Sequence, residues 1–131
     1  MRLFWAVASG AAMGGLARYY LAGIIQQHAG PDFPVGTLVI NITGSFILGF
    51  IMRYALQSGA VSPEMRALLT TGFCGGYTTF STFSYETALL LEDGAYGRAA
   101  LYVGASVLIS LLGTILGFVA AQRVFLLRQQ G

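Results

Sequence analysis

The chain has 131 residues, 56% hydrophobic and 9% charged, where a soluble domain carries about 25% charged residues; the deficit places it among membrane proteins and leaves no room for a soluble domain. Seven arginines and no lysine stand against five acids, and a scattered net charge of +2 excludes a nucleic-acid-binding surface. Cys74 is the only cysteine and His28 the only histidine, which excludes an internal disulfide, a CxxC redox pair and a His/Cys metal cluster.

A membrane-spanning helix needs about 20 mainly apolar residues. Four such stretches fill the chain, so residues 1–131 read as a single four-helix transmembrane domain, all-α. The first stretch, 3–25, carries one charge, Arg18. Its start resembles a signal peptide, but the apolar pattern runs on to Ile25, too far for a signal core. Gly30, Pro31, Asp32 and Pro34 then form a turn cluster. The second stretch is 36–56, with Arg53 near its far end. Ser62-Pro63-Glu64 reads as a helix start, Ser as the cap and Pro at the first helical position. The third stretch is 65–91, closed by Glu92-Asp93-Gly94, and the fourth is 99–122, with a polar tail over 123–131.

Four spans put both termini on one side, together with Arg2, Arg53, Arg66, Arg123 and Arg128, while Arg98 lies opposite. In a multi-pass protein of the cell (inner) membrane, as expected here, the positive-inside rule puts both termini in the cytoplasm. Glycine supplies 18 residues. Gly10 and Gly14 form a GxxxG pair, and Gly44 and Gly49 lie in the second stretch, where small residues let helices approach closely. A tightly packed bundle of four short helices cannot also enclose a conduit, so a homo-oligomer is expected.

The polar residues fall in a pattern. Thr37, Asn41 and Ser45 in the second stretch recur every four residues, as do Tyr102, Ser106, Ser110 and Thr114 in the fourth. That spacing stacks side chains on one helix face, and polar groups in hydrocarbon turn to the bundle interior. These stripes either glue helices together or line a passage. Their groups are uncharged donors, able to replace the water around an anion without a fixed charge that would trap it. In the third stretch Gly72, Gly75 and Gly76 precede a run of hydroxyl residues. This predicts a broken helix near the bilayer midplane, whose freed carbonyls suit an alkali cation; a hinge or a close-packing patch is the alternative. Phe80 and Phe83 share a face, either as packing or as ring edges turned toward a small anion. Arg18 and Glu86 are the only charges well inside spans. Arg18 can snorkel to the interface, and Glu86 is either a proton-carrying carboxylate or an acceptor for neighbouring hydroxyls.

Gly-Phe-Cys-Gly-Gly-Tyr-Thr-Thr-Phe-Ser-Thr-Phe-Ser over 72–84, followed by Glu86-Thr87, resembles the signature of the Fluc, or CrcB, fluoride channels. Gly14-Gly15-Leu16-Ala17-Arg18 is similar to the family's first-helix motif, and Gly36-Thr37-Leu38-Val39-Ile40-Asn41 to its second. Tyr102 with Ser106 and Ser110 matches the fourth-helix pattern, so the resemblance covers nearly the whole chain.

The resemblance implies passive fluoride export through an antiparallel, dual-topology homodimer with two pores between the protomers. It implies that Phe80, Phe83, Asn41, Thr37, Tyr102, Ser106 and Ser110 line the fluoride pore. Ser81, Thr82 and Glu86 would form a polar track beside the rings, and Arg18 an electropositive vestibule. The Gly75 and Thr78 carbonyls of both protomers would hold a structural sodium ion (Na+). One feature departs from this pattern: an arginine bias of five against one opposes insertion in both orientations. Either the chain inserts both ways despite the bias, or it pairs with an oppositely oriented homologue. The competing readings are a small four-helix proton-coupled multidrug exporter, with Glu86 as its only carboxylate candidate, and a non-transporting assembly subunit. No nucleophile–base pair or carboxylate dyad points to an enzyme.

Overall fold

The structure, a computed structural model, describes residues 1–131. All its regular elements are helices: α1 (Arg2–Ala29), α2 (Val35–Ser58), α3 (Pro63–Ala67), a π-helical segment (Leu68–Cys74), α4 (Gly75–Tyr77), α5 (Phe80–Glu92) and α6 (Tyr96–Gln130). Local chemistry fixes several ends. Ser62 Oγ accepts the Met65 N–H at 3.1 Å, with Pro63 in the first turn, where its missing N–H costs nothing. Gly59 ends α2 in the left-handed conformation, φ 58°, and returns its N–H to Ala55 O.

Two expectations are corrected. Residues 123–130 are not a tail: α6 continues to Gln130. Neither Gly nor Pro interrupts that stretch, and Val124, Phe125, Leu126 and Leu127 sustain helix between Arg123 and Arg128. The glycines of the third stretch do not themselves leave the helix. Gly72 is π-helical, Gly75 and Gly76 open α4, and the chain turns extended one residue later, at Thr78 (φ −84°, ψ 157°) and Thr79 (φ −150°, ψ 118°). β-Branched residues tolerate extended backbone well.

The glycines serve packing instead. A Cβ on Gly10 or Gly14 would strike the backbone of the π-helical segment at Leu68 O or Phe73 O. From the other side, a Cβ on Gly76 would lie 2.6 Å from Ala11 O. Helices α2 and α6 run parallel along a second glycine seam: a Cβ on Gly49 would lie 2.5 Å from Thr114 O, and one on Gly117 would strike Phe46 O. At such separations dispersion between backbones becomes the main attraction between helices in lipid.

Only 20 of the 131 residues are buried, and the exposed ones include Leu101, Leu108, Leu111, Leu112 and Leu116 along α6. So much exposed apolar surface is untenable in water and natural against acyl chains. Helices α2 and α6 are each long and apolar enough to cross a membrane. The chain is an all-helical membrane protein.

Gly14→Ala should lower stability by about 1–3 kcal/mol, the usual cost of overpacking a filled contact. Gly97→Ala, whose new Cβ meets nothing, should stabilise by about 0.5–1 kcal/mol through helix propensity. Thermal unfolding in detergent measures both; equal shifts would show that the α1 contact is not tight.

Candidate functional site

The site is built around the two extended residues between α4 and α5. A helix that stops frees backbone groups that need partners, and side chains from α1, α2 and the interruption itself answer them. Asn41, on α2, donates from Nδ2 to Thr79 O at 3.0 Å and accepts the Thr79 N–H on Oδ1 at 2.8 Å. Thr78 returns both its N–H (3.0 Å) and its hydroxyl (2.9 Å) to Cys74 O. Arg18, on α1, donates from Nε to Gly76 O at 3.1 Å, so a cation sits where helix carbonyls end. Thr79 Oγ1 accepts the Thr82 N–H at 3.2 Å and caps α5. It also donates to Thr82 Oγ1 at 3.0 Å and lies 3.4 Å from Ser81 Oγ.

Beside this interruption runs a groove of about 300 Å³ whose walls include Asn41, Ser45, Phe80, Phe83, Ser106 and Ser110. The Phe80 and Phe83 rings lie 5.5 Å apart, tilted by 51°. Ser106 Oγ and Ser110 Oγ are buried and make no hydrogen bond within the chain. A buried polar group without a partner costs about 1–3 kcal/mol, and each such group in a native fold asks for a reason. Asn41 keeps one Nδ2 hydrogen beyond its two bonds to Thr79. The groove therefore gathers uncharged donors and two aromatic rings, with no ionised side chain among its lining residues.

On the other side of Thr79 lies a cavity of about 440 Å³, lined in part by Arg18, Thr37, Thr79, Thr82 and Glu86. Glu86 accepts the Thr37 hydroxyl at 2.6 Å and the Tyr102 hydroxyl at 3.0 Å. Of the two roles left open for Glu86, the geometry is that of an acceptor for hydroxyls. Tyr102 is fully buried, and its ring packs on Phe83 with centroids 5.2 Å apart.

The expected pore residues therefore divide. Asn41, Phe80, Phe83, Ser106 and Ser110 meet in the groove. Thr37 lies in the larger cavity with Thr82, Glu86 and Arg18. Tyr102 stands behind Phe83, its phenol committed to Glu86. Ser81 is exposed and lines neither cavity. Thr114 donates to Ser110 O (3.2 Å) and Ser45 O (3.3 Å), binding α6 to α2. Arg18 does not snorkel away, because Gly76 O holds it. The Gly75 and Thr78 carbonyls lie outside these bonds, which fall on Cys74, Gly76 and Thr79 oxygens.

Sequence reasoning missed two things. Asn41 is the clamp of the interruption as well as a groove donor. Gln26 bridges the α1–α2 loop through Gly30 O, Phe33 O and Gly36 N; a neutral amide at the end of an apolar stretch was the signal for it.

The fold and site define a small all-helical membrane protein with a helix interrupted beside a donor-lined groove. The family model described as "CrcB-like protein, Camphor Resistance (CrcB)" matches residues 5–118, and the chain belongs to this family. It is 50% identical to the "Fluoride-specific ion channel FluC" of Geobacter sulfurreducens, over 95% of this chain and all of that protein. The proteins of the same name from Geobacter metallireducens (50% identical, over 91% of this chain and 96% of that one) and Pyrococcus abyssi (48%, over 87% and 91%) are also similar.

Asn41→Leu leaves the Thr79 N–H and carbonyl without partners and should destabilise by about 1–3 kcal/mol for each. Denaturant unfolding of the detergent-solubilised protein reads this directly; a loss under about 0.5 kcal/mol would mean that water replaces the clamp.

Proposed function

We propose that the chain is a fluoride-selective channel that lets the ion leave the cell passively down its gradient. One observation carries this reading. The unpartnered hydroxyls of Ser106 and Ser110, the spare Asn41 N–H and the Phe80–Phe83 pair all border one groove. Fluoride is small and strongly hydrated, so a passage must return hydrogen bonds at each step. The two serines and Asn41 supply donors that carry no net charge, and binding stays weak enough for release. The rings offer electropositive edges where no hydroxyl is at hand. Tyr102 and Thr37 serve indirectly: by donating to Glu86 they satisfy a carboxylate that would otherwise repel an anion from within the bundle. Thr82 and Ser81 continue the hydroxyl track at the start of α5. Arg18 lends the larger cavity a positive charge that favours anion entry.

Within one chain the groove is open at the side, and Phe80 is 78% exposed. A second copy, antiparallel in the inner membrane and related by a twofold axis, would close it and give two pores. Each protomer would then be a single four-span domain with α3, the π-helical segment, α4 and α5 forming one broken span. The charge bias leaves two routes to this pairing: insertion in both orientations, or an oppositely oriented homologue. A structural sodium ion would sit at the same interruption. Gly75 is exposed, and its carbonyl and that of Thr78 are hard oxygen ligands outside the hydrogen bonds that hold the break. Two carbonyls from each of two chains would make a four-oxygen site whose role is to join the protomers. The exporter reading needs a carboxylate free to exchange protons with a substrate, whereas two hydroxyls hold Glu86.

Purified protein in liposomes should release fluoride, read with an electrode, and Phe80→Ile or Phe83→Ile should slow release about tenfold or more, a barrier increase of about 1.4 kcal/mol. Wild-type release no faster than from empty liposomes would rule out the channel; unchanged release from the variants would remove the rings from the mechanism. In an experimental structure of the assembled protein, two chains should run antiparallel, with cation density between the Gly75 and Thr78 carbonyls. Parallel chains, or a side chain filling that spot, would contradict the assembly.

A further inference from the structure

The α1–α2 loop, residues 30–34, lines no part of the groove, yet side-chain hydrogen bonds fasten it from two helices. Gln26 Nε2 donates to Gly30 O (2.6 Å) and Phe33 O (2.9 Å), and its Oε1 accepts the Gly36 N–H (3.0 Å). One amide thus ties both ends of the loop to the start of α2. Arg98, on α6, adds a bond to Asp32 O at 2.9 Å.

The latch holds one side chain against the interior. The Phe33 ring meets Tyr102 edge-on, centroids 5.5 Å apart and planes at 79°, an arrangement aromatic pairs favour. Phe83 packs on the same tyrosine at 5.2 Å. Tyr102, 0% exposed, therefore packs against Phe33 as well as Phe83, with its hydroxyl on Glu86. Phe33 and Glu86 also border a separate opening of about 330 Å³ on the loop side of the bundle. Without the Phe33 ring, Tyr102 would gain room to swing toward that opening, leave Glu86, and release Phe83 from behind.

We propose that Phe33 is a positioning residue of the conduction site: held by the Gln26 latch, it braces Tyr102 so that the phenol stays on Glu86 and the Phe83 ring stays at the groove. The inference rests on the fluoride-channel reading for its effect on flux, but its geometric part can be tested without flux. Phe33→Leu keeps an apolar side chain of similar reach and removes the ring edge. Fluoride release from liposomes should fall about five- to tenfold in Phe33→Leu and recover to within about twofold of wild type in Phe33→Tyr, which restores the ring.

A structural defect alone would lower flux by the same factor in any background. Action through Tyr102 requires that Phe33→Leu change flux by less than about twofold when introduced into Tyr102→Phe, which has already lost the bond to Glu86. Equal factors in the two backgrounds, or wild-type flux in Phe33→Leu, would overturn the proposal. The second readout is the tyrosine resonance Raman spectrum, with the Tyr102 signal isolated by subtracting Tyr102→Phe. Its strong-donor signature should be present in wild type and lost in Phe33→Leu; persistence there would also overturn the proposal. A wild type that passes no fluoride would sink the channel reading, and the Raman comparison alone would then judge whether Phe33 holds Tyr102.

Discussion

Thr79 sits between two helices with its N–H and carbonyl answered by neither, and the side-chain amide of Asn41 satisfies both, at 2.8 and 3.0 Å. An amide is the one neutral side chain that can donate and accept at once with the spacing of a peptide group. An ionised carboxylate in that place could not donate and would bring a charge. Because α2 supplies the clamp, the interruption is locked to α2, and the direction in which α5 leaves is set with it. Phe80 and Phe83 open α5, so their place beside the groove follows from this contact.

A second division of labour separates polar groups that hold the bundle from those that remain available. Thr37 and Tyr102 are bound to Glu86, Thr114 to the α2 and α6 backbones, and Thr79 to Thr82. The hydroxyls of Ser106 and Ser110 are bound to nothing in the chain. They occupy the same helix face as Tyr102 and Thr114, one and two turns from the tyrosine, yet they border the groove where those two face protein acceptors. The stripe is therefore both glue and lining. Its two middle residues form the lining because Asn41 and the α5 rings, not backbone carbonyls, stand opposite them.

Close packing makes this geometry possible. The glycine contacts of α1 with the π-helical segment, and of α2 with α6, bring backbones together at distances any side chain would prevent. A residue at such a seam cannot drift without breaking many small contacts at once. That stiffness keeps Arg18 within reach of Gly76 O and Asn41 within reach of Thr79, so the polar contacts of two side chains hold an irregular backbone in place.

The membrane class, the helical elements and the polar faces that carry Asn41, Ser106 and Ser110 were legible in the sequence, because hydropathy and a four-residue period are local properties of the chain; that Phe80 and Phe83 belong with them came from the resemblance to the family's third-helix motif. Glycines beside threonines likewise marked the region of the interruption, but not its residue. Gly76 stays helical with α1 in the space its missing side chain leaves, a Cβ there lying 2.6 Å from Ala11 O, and only the packed structure shows this. The end of α6 differs from the expectation for a related reason: charge at 123 and 128 ends the apolar pattern but does not stop a helix. The sequence offered the acceptor role of Glu86 only as one of two readings, and which hydroxyls are free, which ones Glu86 accepts and the packing of Phe33 on Tyr102 lay beyond it. Each depends on which groups from distant segments fall within about 3 Å of one another, and packing sets that distance, not periodicity.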